Sequence, residues 1–224
     1  KELTSIKPQK VLFDLHPDYL STNFGKQYAK DNSLKSFGIQ HHQAHIASVA
    51  CEENLKPPFI GVAFDGTGYG LDGNIWGGEF FTGNAKNFKR IFHLDYIPMP
   101  GGEACVKEPW RMAVSYLNSA FGSDFLKLNI DFVKGIDKKR WAVLKRMIDK
   151  KINSPLTSSM GRFFDAAGSL ILNKKYAYSE AELPIELEKI AADNVEDSYG
   201  SNDSAGIIKG VVRDIERKIP ASII

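Results

Sequence analysis

The chain has 224 residues, enough for one large domain or two small ones. With 43% hydrophobic and 25% charged residues and a formal net charge of +2, it has the composition of an ordinary soluble globular protein, which excludes a strong overall field for nucleic acid or a membrane surface. Only Cys51 and Cys105 occur, far apart and outside any C-x-x-C pattern, which argues against a disulfide framework or a cysteine-rich zinc module and suits a reducing cytoplasm. No apolar run reaches transmembrane length, and the N-terminus carries no signal-peptide pattern.

Val11-Leu12-Phe13-Asp14-Leu15 reads as a short buried strand, and His16-Pro17-Asp18 as a turn that opens a helix over Tyr19 to Ala29. Residues 34–40 form a second strand, which delivers the chain to Gln40-His41-His42-Gln43-Ala44-His45. If a helix continues to Asn54, His41 and His45 project from one face, one turn apart. Two neutral imidazoles at that spacing hold one divalent metal ion, as in the H-E-x-x-H helix of zinc proteases. No glutamate stands between this pair, so protease chemistry is disfavoured. Two histidines rarely complete a site, and Asp65 is the first candidate for the missing carboxylate. The alternative is a helix start whose histidines meet solvent or cap carbonyls. Asp14 and His16 lie at a strand end and could face the same crevice; a turn carboxylate and a partly exposed histidine is the favoured reading.

Lys56-Pro57-Pro58 breaks the helix and divides residues 1–57 from a second subdomain, 58–224. Phe59 to Phe64 is an apolar strand expected to be buried on both faces, ending at Asp65-Gly66-Thr67-Gly68-Tyr69-Gly70. Glycines at alternate positions let backbone amides approach an anion, and an aspartate beside them can hold a metal or orient a water. Asp72-Gly73-Asn74 is a hairpin turn. Residues 75–82 return as a strand whose Gly77-Gly78 pair permits close approach of another backbone or a ligand, and Phe88 to Tyr96 completes a meander. Pro98 to Glu103 is a loop. Pro109 lies in the first turn of the next helix, where Arg111 opposes the helix dipole; a surface arginine is the favoured reading. The remainder is helical: a basic helix over Lys138 to Ile152 with a solvated outer face, one opened by a serine cap before Gly161, one over Tyr178 to Ala192 with Pro184 in its first turn, and one over Ile207 to Ile219.

Taken together and in order, Asp14-Leu15-His16-Pro17-Asp18-Tyr19, Gln40 to His45, Asp65 to Gly70, Trp76-Gly77-Gly78-Glu79, Pro100-Gly101-Gly102-Glu103, Glu108-Pro109-Trp110-Arg111-Met112 and Gly161-Arg162-Phe163-Phe164-Asp165-Ala166 resemble the HypF carbamoyltransferase family of [NiFe]-hydrogenase maturation. The resemblance is to its C-terminal domain, which is similar to the tRNA threonylcarbamoyl-transfer enzyme. It implies an α/β, actin/Hsp70/sugar-kinase-like fold of RNase H-like subdomains with a large helical C-terminal portion, here truncated at both ends. It implies an enzyme that passes the carbamoyl group of carbamoyl-adenylate to the C-terminal cysteine thiol of HypE, the product later being dehydrated to the cyanide ligand of the hydrogenase iron.

The resemblance also assigns residues. His41, His45 and Asp65 match the family's metal and catalytic positions, with zinc or iron, or else magnesium, as the ion. Gly66, Thr67 and Gly68 would hold phosphate, and Gly161 and Asp165 the ribose. HypE and the adenylate are the expected partners, with no nucleic acid and no membrane. An actin-like nucleotide-binding module without catalysis and a small-molecule O-carbamoyltransferase are the competing readings.

Overall fold

The computed structural model describes residues 7–84, 87–193, 195, 198–201 and 203–224, and the chain divides into two compact units. The first comprises residues 1–63, 68–74 and 79–92; the second comprises residues 64–67, 75–78 and 93–224.

The first unit opens with β1 (Lys10–Asp14), α1 (Leu20–Asp31), β2 (Lys35–Ile39) and α2 (His41–Glu52). β1 and β2 are parallel, with Asp14 opposite Ile39. α1 packs back on both strands, as a parallel crossover requires. β1 is not the buried strand its composition suggests, because side chains alternate across a sheet and Leu12 points outward.

A meander follows: β3 (Phe59–Tyr69), β4 (Ile75–Asn84) and β5 (Asn87–His93), with β4 between the other two. Two expectations change here. β3 does not end at Phe64 but continues through Asp65-Gly66-Thr67-Gly68, because pairing with β4 outweighs the weak strand propensity of its glycines. Nor is β3 buried on both faces. A Cβ on Gly61 would lie 2.4 Å from a methyl of Ile46, so that face of the strand admits only small residues against α2. The intervening Ile60 and Val62 point to the other, exposed face. The turn at Asp72-Gly73-Asn74 is as expected: Gly70 N–H donates to the Asn74 carbonyl at 2.9 Å.

In the second unit, residues 75–78 of β4 lead into a short ladder with β7 (Leu156–Thr157) and β6 (Ile97–Pro98). The third strand expected to run to Tyr96 therefore ends early, and a two-residue strand lies inside the helical portion. The helices are α3 (Ala104–Lys107), α4 (Trp110–Phe121), α5 (Asp131–Lys134), α6 (Lys138–Asp149), α7 (Met160–Ile171), α8 (Glu182–Ile190) and α9 (Ser204–Glu216). α8 starts later than expected, at Glu182, because Pro184 has no N–H to donate and is tolerated only in a first turn. α9 begins at Ser204 rather than Ile207, because Asp203 caps it by accepting from Gly206 N–H.

α4 is the centre of this unit. Residues 112–117 are buried in succession, so the helix is covered all round, with α7 and α9 against it. Tyr116, Leu117, Leu170, Ile208 and Val211 form the middle of the core. Among the described residues no helix is long and apolar enough to cross a membrane.

Leu117 is fully buried at this centre. Leu117→Ala is expected to cost about 2–5 kcal/mol, as cavity-forming truncations do. The check is urea denaturation, in which the midpoint should fall at an unchanged slope.

Candidate functional site

In the first unit the site is built on the start of α2. Gln40 is its N-cap, and the Gln40 Oε1 accepts from Gln43 N–H at 2.9 Å. Its Nε2 donates to the Tyr69 carbonyl and to His42 Nδ1, both at 3.1 Å. That second bond makes His42 Nδ1 an acceptor and leaves the ring proton on Nε2. His42 is fully buried, and a Cβ on Gly68 would sit 2.3 Å from its Cε1. The middle histidine is thus a core residue seated against a glycine of β3.

Starting the helix at Gln40 makes His41 its first residue and sets His45 one turn further on. Their Nε2 atoms face each other at 3.1 Å, with the rings nearly perpendicular. On its other side, His41 Nδ1 lies 2.7 Å from Asp14 Oδ2. A carboxylate oxygen accepts, so Nδ1 carries a proton, and in the neutral ring the lone pair is then on Nε2. The other Asp14 oxygen accepts from His16 N–H at 2.8 Å, and the Asp14 carbonyl accepts from buried Thr22 Oγ1 at 2.9 Å. Asp14 is therefore more than the turn carboxylate of the favoured sequence reading. The register of β1 with β2 places it beside Ile39, two residues before His41. His16 stays nearer that reading: its Nδ1 accepts from Asp18 N–H at 3.2 Å, and its ring stacks on Tyr19 at 4.1 Å.

The donor chemistry here fits a divalent ion. Two imidazole nitrogens converge, and one imidazole is backed by a carboxylate at its far nitrogen, as metal-binding histidines usually are.

Of the remaining expected site residues, Gly68 belongs to the first unit, whereas Asp65, Gly66, Thr67, Gly161 and Asp165 belong to the second. Asp65 Oδ1 accepts from Gly66 N–H at 2.6 Å. The Ser159 hydroxyl lies 2.7 Å from both the Asp65 and the Gly66 carbonyl, and its oxygen caps α7 by accepting from Arg162 N–H at 3.1 Å. One serine thus pins the start of α7 to β3. The contact is close because Gly161 has no side chain: a Cβ there would be 2.9 Å from Gly66 Cα. Gly66 and Gly161 are brought together, and Thr67 is exposed. Gly78 acts similarly, since a Cβ there would fall 2.4 Å from the Ser158 carbonyl, as the glycine pair of β4 led one to expect.

Asp165 is buried, and its Oδ2 lies 2.9 Å from Arg162 Nη2, one turn back on α7. Burial pushes the Asp165 carboxyl up to about 6 against the opposing pull of Arg162. The sequence reading singled out Asp165 and missed Arg162, although the i,i+3 spacing was the available signal.

Arg111 is not a surface arginine. It pairs with Glu108 and donates from Nη1 to the Pro100 carbonyl at 3.3 Å, which ties the Glu108-Pro109-Trp110-Arg111 segment to the Pro100-Gly101-Gly102 loop. Glu108 also receives Arg140 Nη2 at 2.7 Å, and that guanidinium stacks over Trp110. Glu79 is fully buried, with Arg90 Nε 2.5 Å away. Glu180 is exposed; Glu182 instead accepts from Tyr178 N–H at 2.6 Å and from Lys174 Nζ at 2.8 Å.

A family model described as "Carbamoyltransferase, Kae1-like Domain, second subdomain" matches residues 61–222, and a "HypF Kae1-like domain" model matches residues 1–52. The chain is 35% identical over 215 residues to carbamoyltransferase HypF2 of Cupriavidus necator, covering 96% of this chain and 25% of that protein. It is 36% identical over 211 residues to carbamoyltransferase HypF of a Synechocystis species, covering 88% and 27%. A crystal structure of full-length HypF in a phosphate- and nucleotide-bound form superposes with a TM-score of 0.84 at 37% identity, over 97% of this chain and 34% of that one. The mixed α/β fold is therefore that of the HypF Kae1-like domain, of the actin/Hsp70/sugar-kinase type. The chain spans about a quarter of the length of those two relatives.

The raised Asp165 group gives a pH dependence of known sign. Its contribution to stability is complete below its ordinary value of 3.8 and is lost as pH rises towards about 6, where the folded-state carboxyl ionises. The loss amounts to roughly 2–3 kcal/mol for a shift of this size. In a carbon-13 NMR titration, the Asp165 carboxyl should show a midpoint near 6; a midpoint near 3.8 would remove the effect.

Proposed function

The chain belongs to the HypF carbamoyltransferase family, and on that premise we propose that it forms the part of a carbamoyltransferase that moves the carbamoyl group of carbamoyl-adenylate onto a protein thiol. The acceptor is the C-terminal cysteine of HypE, and the product serves cyanide-ligand synthesis in [NiFe]-hydrogenase maturation. The observation that carries the reading is the pair of imidazole nitrogens of His41 and His45, 3.1 Å apart on the first turn of α2, within a family named for carbamoyl transfer.

The chemistry is an acyl transfer. The cysteine sulfur attacks the carbamoyl carbon as a thiolate, the C–S bond forms, and the carbon–oxygen bond to the phosphate breaks. AMP leaves with both electrons of that bond, and the acceptor becomes a thiocarboxamide. His41, His45 and Asp65 would hold the divalent ion. When bound, that ion supplies Lewis-acid polarisation of the carbonyl and neutralises charge on the leaving phosphate. Gly66, Thr67 and Gly68 take the phosphate side through the backbone, where the two glycines permit close approach. Gly161 and Asp165 take the ribose side; a carboxylate accepts from both ribose hydroxyls. The exposed ring of His45 is consistent with a site open to substrate.

Two measurements test this. Elemental analysis should find on the order of one equivalent of zinc or iron per chain. That metal should be lost in the His41→Ala/His45→Ala protein while its circular dichroism is unchanged. Equal metal in both proteins would remove the histidines from the site.

The second supplies carbamoyl-adenylate and a peptide ending in cysteine to the chain within its full-length protein, with mass spectrometry as readout. One carbamoyl group should appear on the thiol and should be lost with Asp65→Ala. Carbamoylation of a small-molecule hydroxyl but never of the thiol would overturn the acceptor assignment.

A further inference from the structure

The Asp14 carboxylate is held at both oxygens, and the two bonds are of different kinds. Oδ1 accepts from a backbone amide, His16 N–H, at 2.8 Å, within the turn that ends β1. Oδ2 accepts from a side chain, His41 Nδ1–H, at 2.7 Å, 27 residues along the chain. The strand end is itself fastened by Thr22 of α1, whose buried hydroxyl holds the Asp14 carbonyl. Of the two facing imidazoles, His41 is anchored by the Asp14 carboxylate, and its Nε2 faces that of His45.

We propose that Asp14 is a positioning residue for His41: it selects the Nδ1–H tautomer and fixes the ring's rotation so that Nε2 offers a lone pair to a divalent cation. The proposal rests on the metal reading above, but its first consequence, the tautomer, does not require a metal. The argument is one of donor and acceptor count. An ionised carboxylate accepts at both oxygens, so it serves His16 N–H and His41 Nδ1–H together. An amide in its place has one acceptor. With that oxygen taken by His16 N–H, the Nδ2 group faces the imidazole and donates to Nδ1. The ring proton then moves to Nε2, where it blocks the ligand position. Asp14→Asn is nearly isosteric and still reverses the chemistry, which separates positioning from packing. Asp14→Glu keeps two acceptors on a longer arm and should recover part of the effect.

The experiment is long-range proton–nitrogen correlation NMR of the metal-free chain and of its Asp14→Asn and Asp14→Glu variants, followed by zinc titration of each. Circular dichroism and thermal midpoints check the fold. In the parent protein, the His41 ring should show a protonated Nδ1 and an unprotonated Nε2. Asp14→Asn should invert that pattern and weaken zinc binding by about 10- to 100-fold, the range seen when such outer carboxylates are removed. Asp14→Glu should fall between them.

A parent His41 protonated at Nε2, or a tautomer unchanged in folded Asp14→Asn, overturns the proposal. An inverted tautomer with unaltered zinc affinity also overturns it, since the ring would then not be the ligand that Asp14 sets. If no protein takes up zinc, the metal reading fails, and the proposal's metal clause fails with it. The tautomer pattern then separately decides whether Asp14 orients the ring.

Discussion

The amide side chain of Gln40 is the constraint from which the first unit's site follows. It is buried, so its donors and acceptor must be paired, and they are: by the first-turn amide of α2, by the Tyr69 carbonyl and by His42. A cap of this kind is worth on the order of 1 kcal/mol, but its larger effect is geometric. It states where the helix begins. Once that residue is chosen, the 3.6-residue repeat decides that His42 faces inwards and that His41 and His45 share the other side. A helix starting one residue later would leave His41 outside it, as the cap, and the pair would lose its helical spacing.

The second unit repeats the device with a different residue. Ser159 caps α7 with one oxygen that both accepts from Arg162 N–H and reaches the carbonyls of Asp65 and Gly66. The cap therefore fixes the helix and ties it to a strand in a single contact. Gly161 and Gly66 permit that contact by having nothing to displace. The Arg162–Asp165 pair lies just beneath. Charges this deeply buried are costly to desolvate, and the raised carboxyl reflects that cost. A buried ion pair in the first turns of a helix is weak grounds for stability; it gives that end of α7 a specific local electrostatic environment.

Several residues that stand out in the sequence prove to be joints between motifs. Arg111 links its own helix start to the Pro100 carbonyl, and Glu108 links the same start to Arg140 of α6. Gly68 makes room for the imidazole of His42, and Gly78 makes room for the carbonyl of Ser158. These roles do not exclude chemistry at the same positions.

What the sequence by itself determined was local. The His41/His45 pairing follows from four-residue spacing on a helix, the Ser159 cap from a serine before an apolar periodic run, the Asp72-Gly73-Asn74 turn from its glycine, and the limit on α8 from Pro184. Each is a rule about neighbours along the chain, and each held. The ordered motifs also named the family, although no single one of them could. What only the tertiary structure decided involved groups far apart in sequence. Asp14 meets His41 across 27 residues because β1 and β2 pair in parallel with Asp14 beside Ile39, and strand register is not written in either strand alone. β3 runs on through its glycines because β4 lies beside it, and its large residues face outwards because Ile46 of α2 leaves no room on the inner side. Arg111 is half-buried because a loop eleven residues earlier folds back on it. In each case the deciding energy is a pairing or a clash between distant segments, and that exists only once the chain has folded.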